Sequence, residues 1–396
     1  LLEALNILFS AAFGSLGQGG AQWQWQACHF TVTGCRRAHQ AVAMGWTRKE
    51  VGIVFCLSLI LLLAAWLVAE VGLAILRPAP VQRDALLGWT LKPNYHRDFT
   101  QKTLGAKDYL VSFATNDQGL RVFGSAGAPI KILVLGDSFT ADPYASNDRM
   151  WYVAMAKRLA QRLHRPASDF YVMGGGAGGW GTYQNLLLSQ QLSPRIKPDL
   201  FVLQFCGNDF HNNSYDWESK GVVRGQFMRR PFIDAQSGLP KYAPGLMAKV
   251  YRSLAGESRL FNRIDGVIGN MQFQRYGGYT GPLSPQATAS YERDSIALTQ
   301  KLLTMLRGVY RDVPAVMVNC DGSETGANKS WKALARDAGF LPLDGPSDFL
   351  LSLPPARRGA IFHADGIHLS DEGNQLYGAI AGDELASVGL VLPARH

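Results

Sequence analysis

Four continuous apolar runs, separated by helical stretches, constrain this chain more than any other feature. KILVLGD (131–137), DFYVMGG (169–175), DLFVLQFCGND (199–209) and PAVMVNC (314–320) have apolar centres and end on turn residues. That is the pattern of parallel strands buried on both faces, not of strands with one wet face. Between them, MWYVAMAKRLAQRLH, TYQNLLLSQQL and SYERDSIALTQKLLTMLRGVY read as helices. This alternation predicts an α/β fold, a three-layer α/β/α sandwich with a mainly parallel sheet. Ligands of such sheets bind beyond the carboxyl ends of the strands. Ser138, Gly179 and Asn208 follow the first three runs, so all three are expected along one edge.

Ahead of this domain, Val51 to Ala69 reads VGIVFCLSLILLLAAWLVA, without a charge. As a helix it would be about 28 Å long at ~1.5 Å per residue, against roughly 30 Å of bilayer hydrocarbon. It lacks the polar face of a core helix. Arg48 and Lys49 precede it, the flank that stays in the cytoplasm, which sends everything beyond Arg77 outside. A cleavable signal peptide would have a shorter apolar run, and Gly72 and Ala74 make a poor cleavage site. The expected organisation is an extension without a fold of its own at 1–43, followed by a transmembrane anchor at 44–77 that opens on Met44. A linker with a small β-rich lead-in at 78–130 comes next, containing Pro78, Pro80 and DYLVSFATN, and then the main domain at 131–396 with an insert at 211–289.

The chain carries 39 Lys and Arg against 31 Asp and Glu, a formal charge of +8, which favours anionic surfaces. No zinc-finger spacing, RNA-binding signature or long basic tract accompanies it, so no nucleic-acid partner is expected. Cys28, Cys35, Cys56, Cys206 and Cys320 form no CxxC pair and no regular framework. Disulfides are therefore not expected to hold the fold, and Cys206 and Cys320 read as small buried hydrophobes. GGGAGGWG lacks the Gly-Lys-Ser ending of a phosphate loop, and GxSxG does not occur. His363, Asp365 and His368 spell HxDxxH, with His211 the one obvious supplement. The other ligands of a metal site are not evident, His363 reads as structural, and no metal or cofactor is expected.

The stretch KILVLGDSFT ends a buried strand on a serine. A serine hydroxyl is a poor nucleophile unless a base takes its proton, an acid orients that base and rigid donors hold the oxyanion. Asp365 and His368 are three residues apart at the entrance of a predicted helix, which lets the carboxylate turn back to one imidazole nitrogen while the other faces Ser138. Asp371 is placed to cap that helix. Oxyanion donors are available in the backbone N–H groups of Ser138 and Gly179 and the side-chain amide of Asn208.

These residues resemble the SGNH or GDSL-type esterases. The likeness rests on GDSF at 136–139, the glycine-rich turn at 174–181, GND at 207–209 and DGIH at 365–368, in that order, and covers Lys131 to the C-terminus. It implies a flavodoxin-like fold and an ester hydrolase in which Ser138 is the nucleophile and His368 and Asp365 complete the triad. Ser138, Gly179 and Asn208 would form the oxyanion hole. Two departures stand out: the second block lacks the asparagine found in many relatives, and the first has GDSF in place of GDSL. The substrates expected outside a cell are acyl esters, acetyl foremost, of envelope carbohydrate or lipid. An O-acyltransferase would use the same triad, and a silent glycan-binding or scaffold domain is the non-enzymatic alternative. The basic insert reads first as a solvated surface of helices and loops; the functional alternative is that it walls the site and attracts an anionic substrate or the membrane surface, and substrate choice is expected to lie there.

Overall fold

The computed structural model describes residues 48–76, 79–101, 108–221, 224–234, 236–276, 283–321, 325–363 and 365–389; the extension expected at 1–43 and Met44 lie outside them. The chain divides into two compact units between Ala65 and Trp66. Helix α1 (Arg48–Leu76) contains that boundary, and its part up to Ala65 is what is described of the first unit. Gly52–Leu76 is long and apolar enough to cross a membrane, by length and composition an anchor or a signal sequence.

The second unit opens with two antiparallel pairs, β1 (Val81–Asp84) with β2 (Gly88–Leu91) and β3 (His96–Gln101) with β4 (Tyr109–Ala114). Strand β5 (Arg121–Phe123) then joins the main sheet, antiparallel to its neighbour, so the segment before residue 130 supplies an edge of the sheet itself. The other strands of that sheet are β6 (Ile130–Gly136), β7 (Phe170–Gly176), β8 (Leu200–Phe205), β11 (Ala315–Asn319) and β12 (Leu341–Leu343). A minor pair, β9 (Phe232–Ile233) and β10 (Pro240–Lys241), lies in the insert. The spatial order is β12-β11-β8-β6-β7-β5, with every pair but the last parallel. Strand β12 did not stand out in the sequence because it has three residues and a proline, Pro342, which an edge strand tolerates.

Helices cover both faces of this sheet. After α1 the chain forms α2 (Ser138–Ala141), α3 (Trp151–Arg162), α4 (Thr182–Leu192), α5 (Asn208–Asn213), α6 (Tyr215–Glu218), α7 (Arg224–Arg229), α8 (Leu246–Leu254), α9 (Arg259–Tyr276), α10 (Pro285–Val309), α11 (Trp331–Asp337), α12 (Gly345–Ser352), α13 (Pro355–Ile361) and α14 (Asp371–Ser387). Successive strand residues point to opposite faces. Leu133, Leu135, Phe201, Leu203 and Met317 therefore pack with α4, α10 and α11, while Ile132, Val134, Val202, Val316 and Val318 pack with α3, α12 and α14. The three-layer sandwich expected from the alternation is the observed fold. Helices α3 and α14 meet at Gly378 and Gly382, one turn apart, where a Cβ would fall 2.0 Å from the Trp151 carbonyl oxygen and 2.6 Å from that of Met155; only glycine allows backbones this close.

Two expectations are corrected. Cys206 and Cys320 form a disulfide, with Cα atoms 5.2 Å apart. They are the residues just past β8 and β11, whose final residues Phe205 and Asn319 are paired in register; a sequence separation of 114 hid this adjacency. The cap of α14 is Ser370, whose hydroxyl accepts the Gly373 N–H at 3.0 Å. Asp371 is the first helical residue and pairs with Arg149 instead.

Candidate active site

The chain passes from β6 to β7 on one side and then crosses to β8 on the other. The carboxyl end of β6 is thus a topological switch point, where two loops diverge and leave a crevice. Ser138 begins α2 just after β6, and the preceding Asp137 caps the helix by accepting the Phe139 N–H at 3.0 Å. Gln204 of β8 accepts from the Asp137 N–H (3.2 Å) and the Thr140 hydroxyl (3.0 Å), tying this turn to the neighbouring strand. Asn208, at the start of α5, donates to Asp137 Oδ2 at 3.3 Å. An amide nitrogen has two hydrogens, so one such bond leaves a second donor.

Gly179 lies in the turn after β7 with φ +73°, where a side chain would be strained and would strike the Gln226 amide at 2.6 Å. Its carbonyl accepts from Asn212 Nδ2 at 3.2 Å and from the Arg230 guanidinium. Arg230 is fully buried and paired with Glu218 at 2.6 Å. The Gly178 carbonyl accepts from Trp89 Nε1 at 3.1 Å. That carbonyl and the Gly179 N–H belong to one planar trans peptide, so Trp89 fixes the direction in which this N–H points. Trp180 Nε1 donates back to the Trp89 carbonyl at 3.0 Å.

The loop between α13 and α14 folds on itself. Phe362 bridges Leu369, the His363 N–H donates to the His368 carbonyl at 2.8 Å, and Gly366 turns with φ +68°. Asp365 Oδ1 accepts the N–H groups of Ile367 (2.9 Å) and His368 (3.0 Å), while Oδ2 lies 2.7 Å from His368 Nδ1. Burial pushes the Asp365 carboxyl up, but these hydrogen bonds and the His368 charge outweigh it and hold it at about 2. Burial pushes His368 down, yet the Asp365 hydrogen bond and charge, with Asp142 and Asp137 beyond, leave it raised.

His368 Nε2 is buried and has no hydrogen-bond partner, so Ser138 Oγ is not bonded to it. The Phe139 ring, adjacent to Ser138, lies 5.6 Å from the imidazole. The structure thus brings Asp365 onto His368 and Asn208 onto the Ser138 turn, and leaves the Ser138–His368 bond open. The His363 ring lies 3.2 Å from the Tyr109 hydroxyl and against the Tyr144 ring, which also contacts His368.

A sequence model described as the GDSL-like lipase/acylhydrolase family matches residues 134–376, 243 of the 396 residues. The chain belongs to that family. As a GDSL-like acylhydrolase it is a carboxylic ester hydrolase. Solved structures similar to it include a lipase/acylhydrolase from Enterococcus faecalis, 14% identical with a TM-score of 0.37, covering 67% of this chain and 99% of that one. An acetylxylan esterase from Geobacillus stearothermophilus is 14% identical with a TM-score of 0.34, covering 68% of this chain and 99% of that one. No curated protein matches the sequence.

In this acylhydrolase a cavity of about 670 Å³ reaches from Gln226, beside Gly179, to Asp365 and Ile367. Its walls include Asn262, Asp265, Asn270, Phe273 and Gln274 of α9. Sequence reasoning did not identify Trp89, Gln204, Gln226 or Arg230 as site residues. No local signal distinguishes them: Trp89, Gln226 and Arg230 reach the site from other parts of the chain, and Gln204 reads as one more residue of a buried strand four positions before Asn208.

Proposed function

We propose that this GDSL-like acylhydrolase removes acyl groups, acetyl foremost, from envelope carbohydrate outside the cytoplasm through Ser138, His368 and Asp365. The observation that carries this reading is the 2.7 Å contact between His368 Nδ1 and Asp365, with the opposite nitrogen buried and unpartnered next to the Ser138 turn. Nε2 is thereby the free base. It takes the Ser138 proton as Oγ bonds to the ester carbonyl carbon, and the oxyanion is received by the N–H groups of Ser138 and Gly179 and the Asn208 amide. The alcohol leaves with that proton, and water, deprotonated by His368, releases the acid and restores Ser138. The open Ser138–His368 distance is compatible with this role, because catalytic hydrogen bonds often tighten only around substrate.

A carbohydrate ester suits the cavity. Amides at 226, 262, 270 and 274 and a carboxylate at 265 offer donors and acceptors to a hydroxylated ligand, and Phe273, Val81 and Ile367 give it apolar surface. The extracytoplasmic placement is supported by the Arg48–Lys49 flank and by the Cys206–Cys320 disulfide, a bond that persists in oxidising compartments. A serine-directed fluorophosphonate tests the nucleophile: the wild type is expected to label and Ser138→Ala to stay unlabelled. A folded wild type that resists labelling would sink the triad assignment.

A further inference from the structure

Helix α8 turns its apolar side outward. Leu246, Met247, Val250 and Leu254 are 76%, 75%, 44% and 38% exposed, whereas the small Ala248 is the residue it buries. At 3.6 residues per turn these four side chains share one arc of about 100°, and exposed Lys249 borders it. A helix facing water alone has the reverse arrangement, and an outward apolar face marks an interaction surface.

The position of this face in the fold identifies what covers it. The first charge after the uncharged run of α1 is Glu70, and its carboxylate accepts the N–H groups of Arg259 (2.9 Å) and Leu260 (3.2 Å) and the Ser258 hydroxyl. Ser258 in turn donates its own N–H to the carbonyl of Leu254, the last residue of α8, at 2.9 Å. The C-terminal end of α8 is therefore joined, through one tight turn, to α1 just past its uncharged run. The insert that contains it, 211–289, holds ten Lys and Arg against five Asp and Glu, a balance suited to anionic headgroups.

We propose that α8 lies in the interface of the leaflet from which α1 emerges, with Leu246, Met247, Val250 and Leu254 among the acyl chains and Lys249 at the headgroups. Interfacial helices bury such a face roughly 5–10 Å below the headgroup boundary. The proposal rests on α1 being a membrane anchor. It adds that the insert has a second membrane contact. Because α9 follows the same turn and walls the cavity, this contact holds the cavity close to the bilayer surface.

The test places an environment-sensitive fluorophore at single cysteines of the full chain, reconstituted into vesicles of phosphatidylcholine and phosphatidylglycerol. Cys28 and Cys35 are replaced by serine throughout, and Cys206 and Cys320 stay in their disulfide. Native Cys56, an exposed free thiol within the span, reports on the anchor. Met247→Cys and the water-facing control Ser168→Cys are labelled with Cys56→Ser added. The Met247→Cys label is expected to be blue-shifted and at least about fivefold less quenched by iodide than the Ser168→Cys label. Equal quenching at 247 and 168 with Cys56 protected overturns the proposal and leaves the anchor standing. Quenching at Cys56 as strong as at 168 overturns the anchor and the proposal together.

Discussion

Asp365 uses two oxygens to hold three hydrogens, two from the backbone of its own loop and one from the imidazole. The loop that makes the turn therefore also orients the His368 imidazole. Its consequence is a pH profile. His368 must be neutral to take a proton, and the Asp365 contact raises its pKa, so hydrolysis of a non-ionising ester is expected to fall on the acid side with a midpoint above that of an ordinary histidine. In Asp365→Asn, which removes the charge that favours the imidazolium, the midpoint should move to lower pH as activity drops. An unchanged midpoint in kcat/KM would refute His368 as the titrating base. The residues of this dyad were legible because their geometry is local: a carboxylate three positions before a histidine reaches it by a single turn. The positions of Ser138, Gly179 and Asn208 were legible for a related reason, since each follows the end of a run that the sequence marks as a buried strand. Cys206 and Asp371 were misread because side-chain type alone does not reveal a partner in another element.

At the scale of elements, the turn after β7 is supported by parts of the chain far from it in sequence. Trp89 of β2 fixes the peptide that carries the Gly179 N–H, and Arg230, following α7, holds the next carbonyl while paired with Glu218 of α6. Trp89→Phe keeps most of the buried ring and removes the Nε1 donor. We expect kcat for an acetyl ester to fall about tenfold with KM little changed, less than the 10²–10³ lost when an oxyanion donor itself is removed. An unchanged kcat would show that the turn holds its shape without this bond. Arg121 has a similar structural place on β5, buried and donating to the carbonyls of Ala141, Asp142 and Ala145 behind Ser138. None of these residues carries a sequence signature, because an arginine or tryptophan in a short strand or loop reads as surface until other segments close over it.

At the scale of the molecule, the Cys206–Cys320 bond links the ends of two neighbouring parallel strands directly before Asn208. Closing a loop with a separation of 114 residues restrains the unfolded chain and contributes about 2–4 kcal/mol. A Cys206→Ala/Cys320→Ala variant is accordingly expected to unfold about 5–10 °C lower, while Cys56→Ser leaves the midpoint unchanged. A double variant as stable as the wild type would show that the strands need no crosslink. The layered α/β sandwich, the apolar span of α1 and the placing of the site loops at strand ends were determined by sequence alone, because periodicity and strand punctuation are properties of neighbouring residues. Tertiary structure alone decided that β5 closes one edge of the sheet, that two distant cysteines meet, that Trp89 and Arg230 brace Gly179 and that α8 shows its apolar side. Each of these depends on contacts between separate elements, and burial and register arise only once the layers have packed.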